Sequence, residues 1–206
     1  MKKNIQRRLS FLILHTSFLI FLLLPVTSCD VVKQVEQMAN LVNCKFRIQS
    51  VQNLTLAGVN VQQVKKMSDL NLADTQKLLS AVLKQSFPLN MTLQVEAKNP
   101  NTSSAGMNKL DWILLIDNIE MARGALNQRV VIPGNQGIAT IPLQLSTDLK
   151  KVLTGRSTDA FINFGLNLAG AGNKPTRITL RLKPTIIVGQ VTLNYPDYIS
   201  VNTEYK

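Results

Sequence analysis

Histidine is almost missing from this sequence: His15 is the only one, and it sits inside an apolar run near the start of the chain. Anything that folds beyond that run has no imidazole, which excludes His-dependent catalytic triads and His-containing zinc sites. Cysteine is nearly as scarce. Cys29 and Cys44 are the only two, and they show no Cys-x-x-Cys spacing, so neither a disulfide framework nor a thiolate metal cluster can be assembled. Aromatic residues make up 5% of the 206 positions, and acidic residues number 12 against 23 basic ones. A reaction on this chain would have to run on carboxylates, amines, hydroxyls and a lone thiol. The reading is therefore of a non-enzymatic protein without a metal or other cofactor.

What is present begins with a targeting pattern. Lys2, Lys3, Arg7 and Arg8 precede an apolar run from Phe11 to Leu24 that ends in small residues, the order of a secretory signal. A spanning helix is the weaker reading, because it needs roughly 20 apolar residues without His15, Thr16 and Ser17 in the middle. Directly after the run, Val26-Thr27-Ser28-Cys29 resembles the bacterial lipoprotein box. The competing reading is a chance cysteine beside an ordinary cleavage site. The resemblance implies that residues 1–28 are removed and that Cys29, now first, carries two or three acyl chains. At roughly 0.8 kcal/mol per buried methylene such an anchor is stable, whereas one chain would not be. The expected location is the bacterial cell envelope, on the outer membrane or the periplasmic face of a membrane. Removing 1–28 takes away four of the 23 basic residues and none of the 12 acidic ones, leaving 19 against 12, a net +7.

Residues 29–44 read as a lipidated N-terminus followed by a tether or a short helix, since Val31, Val32, Val35, Met38 and Leu41 recur roughly at helical spacing. From residue 45 to 195 the pattern is that of strands. Apolar residues alternate at Leu89, Met91, Leu93, Val95 and Ala97, then at Leu110, Trp112, Leu114 and Ile116, with Asn99-Pro100-Asn101 as the turn at which the two strands meet. Leu72, Leu78, Leu79, Val82 and Leu83 mark one main helix, capped by Asn71 or Asp74 and stopped by Pro88, which is expected to lie as a lid on a sheet edge. Further strands are expected from Lys45 to Val51 and from Leu54 to Val61, on either side of Gly124, from Ala139 to Leu145 after a Gly134–Gly137 turn, and at 160–168, 177–183 and 185–194. Ser146 or Thr147 should cap a short helical segment before Gly155. Regular short strands without a linker define one domain, a sandwich or barrel, with residues 196–206 as a covering or fraying tail.

Few side chains in this frame offer chemistry. Asp111 and Asp117 should point to solvent, without the burial that splits two carboxyl pKa values into an acid and a base. Gly170-Ala171-Gly172-Asn173-Lys174 lacks the Gly-Lys-Ser/Thr ending of a phosphate loop and reads as a hairpin turn. Cys44 reads as a small buried residue. The one row worth following is Arg177, Thr179, Arg181 and Lys183, opposite an apolar face of Ile178, Leu180 and Leu182. Successive same-face positions lie roughly 6 to 7 Å apart on a strand. Arg177, Arg181 and Lys183 are accordingly candidates for contact with an anionic surface, against the alternative of a solvated face. Nucleic acid is not an expected partner, because no aromatic residue interleaves with these cations.

The central stretch resembles the late embryogenesis abundant group 2 family with its water-stress and hypersensitive-response domain, in the bacterial lipoprotein branch. The residues that carry the resemblance are Asn99-Pro100-Asn101 at a strand end, the strand Leu110 to Asp117, a short segment ending in Gly124, and the apolar strand Ile138 to Leu145. It spans about Phe46 to Leu153 and departs at the helix-forming insertion from Leu72 to Gln85. The resemblance implies a mostly β fold, an antiparallel immunoglobulin or fibronectin III-like β-sandwich with one main α-helix, and an interaction or stress-protection module without catalytic residues. Partners would be the membrane, through the lipid anchor, and an envelope protein. An envelope carrier of an apolar ligand such as a lipid is the second reading.

Overall fold

The computed structural model describes residues 28–64, 67–152, 154, 176–188 and 190–205. Its elements run in the order α1 (Ser28–Asn40), β1 (Lys45–Leu56), β2 (Val59–Asn60), α2 (Leu72–Leu83), β3 (Pro88–Asn99), β4 (Ala105–Met107), β5 (Lys109–Ile116), β6 (Ile119–Leu126), β7 (Val130–Ile132), β8 (Gly137–Asp148), α3 (Leu149–Val152), β9 (Thr176–Val188), β10 (Val191–Asn194) and β11 (Ile199–Tyr205). Every strand pair is antiparallel. One sheet has the order β2-β1-β3-β8. The other has the order β10-β9-β5-β6 with β11 also on β9, and β4 pairs with β7 in a small third sheet.

The alternation in β3 and β5 produces the core of a β-sandwich. Leu89, Leu93, Val95 and Ala97 on β3 are fully buried, as are Leu110 and Leu114 on β5. Ile141, Leu143 and Leu145 on β8, with Ile178, Leu180 and Leu182 on β9, complete the inner faces. Each such leucine stabilises the fold by roughly 1.5–3 kcal/mol relative to exposure. At the open sides of the sandwich β11 approaches β1, and β6 approaches β8. Turn chemistry sets the hairpins. Ala57 and Gly58 (φ 50° and 77°) link the paired Leu56 and Val59, and Asp117 and Asn118 (φ 49° and 65°) link Ile116 and Ile119. Both are two-residue loops with positive φ at each centre, which match the right-handed strand twist.

Several expectations are corrected. The strands flanking Asn99-Pro100-Asn101 do not pair with each other: β3 lies between β1 and β8, whereas β5 lies between β6 and β9, so the triplet carries the chain from one sheet to the other. Gly124 does not break a strand but lies inside β6 opposite Trp112. Residues 45–56 form one strand, with irregularities between Ile48 and Ser50 and between Gln52 and Thr55, where Asn53 has φ 53°. β9 runs unbroken through Pro184, and residues 199–205 form a strand on it rather than a fraying tail. Asn71 is the cap of α2, its Oδ1 accepting from Asp74 N at 2.8 Å. The buried side of α2 is Leu78 and Ala81, while Leu72, Leu79 and Leu83 are 75%, 56% and 84% exposed. Asp148, rather than Ser146 or Thr147, caps α3, accepting from Lys150 N at 3.0 Å. Its carboxylate also takes Phe87 N at 2.9 Å and the Ser86 hydroxyl at 2.8 Å, fastening the start of β3 to the end of β8. The strand expected at 160–168 and the turn at 170–175 lie outside the described residues.

Candidate functional site

Cys29 is the second residue of α1, so no loose tether separates it from the domain. What holds α1 down is a polar network centred on the triplet. Asn99, fully buried, donates through Nδ2 to the carbonyls of Ser103 (2.9 Å) and Ile132 (3.2 Å), and its Oδ1 accepts from the Asn101 amide at 3.0 Å and Asn101 Nδ2 at 2.6 Å. Asn101 Nδ2 also reaches the carbonyl of Asn40 at 2.8 Å, and its carbonyl accepts from Asn135 N at 2.6 Å. Asn43 Nδ2 donates to Asn101 Oδ1 at 3.0 Å. From the helix side, Asn40 Nδ2 donates to Ser104 O at 3.1 Å. The buried Gln37 gives its Nε2 proton to Ser104 Oγ at 2.9 Å and accepts from Arg129 Nη2 at 2.9 Å. A Cβ on Gly106 would stand 3.1 Å from Gln37 Oε1, so β4 lets the helix approach closely. The triplet is thus a joint at one end of the sandwich, tying α1, the β3–β4 connection and the β7–β8 turn. Sequence reasoning found the triplet but missed Gln37 and Asn40, whose only local signal is amide side chains within a helix, and Arg129, which lies in the β6–β7 connection.

Cys44 lies in the same region, buried, with its thiol donating to Asn40 O at 3.4 Å. Burial pushes the thiol pKa up to about 11, so it stays protonated and unreactive at neutral pH.

The cations of β9 divide into two groups. Arg177 and Arg181 are exposed and, with Thr179, Asn118, Ser200 and Asn202, line an open depression of about 530 Å³. They stand four residues apart, roughly 13 Å along the strand, rather than at adjacent same-face positions. Lys183 is half-buried, its Nζ lying 5.4 Å from the centre of the Tyr198 ring. Its cross-strand partner is Asp111, which Lys109 holds at 2.8 Å. Asp117 lies in the β5–β6 turn and accepts from Arg177 N at 3.1 Å, so the two aspartates have separate structural tasks. The Thr185 end of β9 neighbours Asn108, which follows β4, whereas Arg177 is eight residues away, about 26 Å. Arg181 is four residues from Thr185, about 13 Å, so Arg177 is the farther of the two from the α1 end.

A second open groove, of about 600 Å³, runs between α2 and the β1–β3 end, lined by Ala57, Ala73, Lys77, Ser80, Lys84 and Pro88 among others. Elsewhere, Arg47 and the buried Glu96 form a two-pronged ion pair at 2.7 Å, and the Arg47 hydrogen bonds hold the Glu96 carboxyl below its ordinary range.

These features define a helix-ended antiparallel β-sandwich whose polar triplet joins the two sheets. No family model matches the chain, and no curated protein matches it. Among solved structures it is similar to a protein from Archaeoglobus fulgidus (14% identity, TM-score 0.33, covering 57% of this chain and 84% of that one). It is also similar to an Arabidopsis thaliana protein (15%, TM-score 0.35, 59% and 72%). A third neighbour is a protein described as late embryogenesis abundant (11%, TM-score 0.36, 93% and 82%).

Proposed function

We propose that this chain is a lipid-anchored protein of the bacterial cell envelope, whose sandwich domain is a non-enzymatic interaction or stress-protection module of the late embryogenesis abundant group 2 type. The observation that carries this reading is the Val26-Thr27-Ser28-Cys29 box, placed directly after an apolar run and ending in the first two residues of α1. Acylation of Cys29 would hold the domain at a membrane by two or three chains. The polar network at the triplet supports the non-enzymatic part, because its amides are spent on one another and on backbone carbonyls, leaving them as a joint rather than as reacting groups. Arg177 and Arg181 are the cations we assign to anionic contact. Arg177, at the end of β9 far from Thr185, favours a polyanionic envelope component over the bilayer beneath the anchor.

Metabolic labelling with a fatty acid tests the anchor: the native chain should take up label and Cys29→Ala should not, and equal label in both would sink the reading. For the module, the unlipidated domain should preserve a labile enzyme through drying or freezing better than an equal mass of an inert protein. The groove beside α2 favours a carrier of an apolar ligand as the second reading, although its two lysines make it a poor container for hydrocarbon. Lipid recovered stoichiometrically from protein purified out of its native envelope would decide for the carrier.

A further inference from the structure

α1 presents two different sides. Gln37 and Leu41 are buried on the domain, while Val31, Val32 and Val35 are 41%, 67% and 46% exposed, Ala39 is exposed, and Val42 in the following turn is 64% exposed. Residues 31, 35, 39 and 42, and 32, 35 and 39, are spaced three or four apart, so they form one continuous apolar stripe. Valine is a mediocre helix former, and a water-facing helix surface ordinarily carries Lys and Glu. Helix formation does not account for this stripe.

We propose that the valine stripe of α1 lies in the surface of the membrane into which the acyl chains of Cys29 insert, so that the domain stands on the bilayer with its α1 end down. This rests on the lipoprotein reading above. The occupant follows from the absence of slack. Cys29 and Val31 are two residues apart on one helix, a rise of about 3 Å, and Gln37, Asn40 and Asn101 fasten that helix to the sandwich. Acyl chains inserted at Cys29 therefore bring the stripe to the lipid interface together with the domain. The 13-residue helix spans only about 20 Å, too short to cross a bilayer core, and no helix among the described residues is long and apolar enough to do so. A helix of this kind lies along the interface with its apolar side down. The exposed side chain that borders the stripe is Glu36, four residues after Val32, with Lys33 further round the helix, so the apolar area rather than charge carries the contact. The exposed Leu83 ends α2 just before β3 begins at Pro88, and β3 runs about 36 Å from there to Asn99 beside α1.

The test uses the full lipidated protein with Cys44→Ala, carrying a single new thiol as Val32→Cys, Val35→Cys or Leu83→Cys. Each is labelled with an environment-sensitive fluorophore and reconstituted into vesicles containing doxyl-labelled phospholipid. All three positions are exposed, so the fold tolerates the label. The expected result is quenching at 32 and 35 at least threefold stronger than at 83. Equal quenching at the three positions, or none at 32 and 35 in protein whose acylation is confirmed by mass, overturns the proposal. Label self-quenching at 35 without doxyl quenching would put a second copy on the stripe and overturn it as well. Protein that is not acylated at Cys29 would remove the anchor reading itself, and this proposal with it.

Discussion

Trp112 on β5 lies directly opposite Gly124 on β6, and its indole occupies the place where a side chain at 124 would begin: a Cβ there would stand 2.4 Å from Trp112 Cζ2 and 2.7 Å from Cε2. The ring is rigid and 6% exposed, so it cannot step aside. Gly124→Ala should cost about 1–3 kcal/mol by overpacking. Trp112→Ala should cost about 3–5 kcal/mol through lost burial and a cavity. In a Trp112→Leu background the alanine at 124 should be nearly neutral, because the conflict is pairwise. Urea denaturation of the four chains forms the cycle, and additive costs would mean that the indole is not what excludes a side chain at 124. Asp111→Ala is the control, expected to cost about 1 kcal/mol or less, since its ion pair with Lys109 is solvent-exposed.

The triplet gives a second expectation. Asn99→Ala leaves the buried Ile132 carbonyl and the Asn101 amide without their partner and should cost about 1–3 kcal/mol. Asn101→Ala should act more locally, by releasing the Asn40 carbonyl and Asn43. Hydrogen exchange should then quicken in α1 while β5 and β9 stay protected. Uniform acceleration across both sheets would contradict the idea of a joint between helix and sandwich.

Asp148 sets a pH dependence. Burial alone would raise its carboxyl pKa, but the Phe87 amide, the Ser86 hydroxyl, the Lys150 amide and the charge of Lys151 together hold it below its ordinary value. A carboxyl with a lower pKa in the folded chain adds stability that is complete above the unfolded value, roughly pH 4, and is lost as pH falls through the folded one. Asp148→Asn keeps an oxygen for the cap but turns charge-assisted hydrogen bonds into neutral ones, so it should be less stable by about 1 kcal/mol at neutral pH. The gap to the native chain should close on acidification below roughly pH 4. A gap that stays constant through acid would show that charge at 148 is not involved.

The arginine pair can be tested apart from the anchor. In a Cys29→Ser chain lacking acyl groups, either end of the domain is free to meet a vesicle. Arg177→Gln with Arg181→Gln should weaken co-sedimentation with anionic vesicles, each cation contributing about 1 kcal/mol near the surface, and salt should erase the difference because screening acts within about 8 Å. Lys183→Gln should do less, since its ammonium already lies over Tyr198. Binding that is indistinguishable at low salt would leave the pair as a solvated face.

Much of this architecture was legible beforehand. Alternation at Leu89 to Ala97 and at Leu110 to Ile116 located both central strands and their buried sides, and the turn and cap residues at Gly134–Gly137 and Asn71 had the expected roles. What alternation cannot carry is sheet membership: a period of two says which side of a strand is buried, not which strand lies beside it. Helical spacing on α2 was equally ambiguous, because Leu72, Leu79 and Leu83 fall on one stripe and Leu78 and Ala81 on another, and either could have met the core. Of the basic row, only Arg177 and Arg181 share a depression. The loss of Lys183 to Tyr198 depends on β11 running beside β9, a contact between residues with no shared motif.

That β3 and β5 are separated in the chain only by the short β4 yet sit at the middle of different sheets has a consequence in time. β3 must wait for β8 and β5 for β9, with Ile116 meeting Ile178 across the whole intervening chain. Loop-closure entropy is spent before such pairings return anything, which places sandwiches of this kind in the millisecond-to-second range of folding. Until β9 docks, the apolar side of β5 has a neighbour on one flank only. Under the envelope reading proposed above, that slow interval would keep the polypeptide threadable through a translocation channel until it reaches the far side.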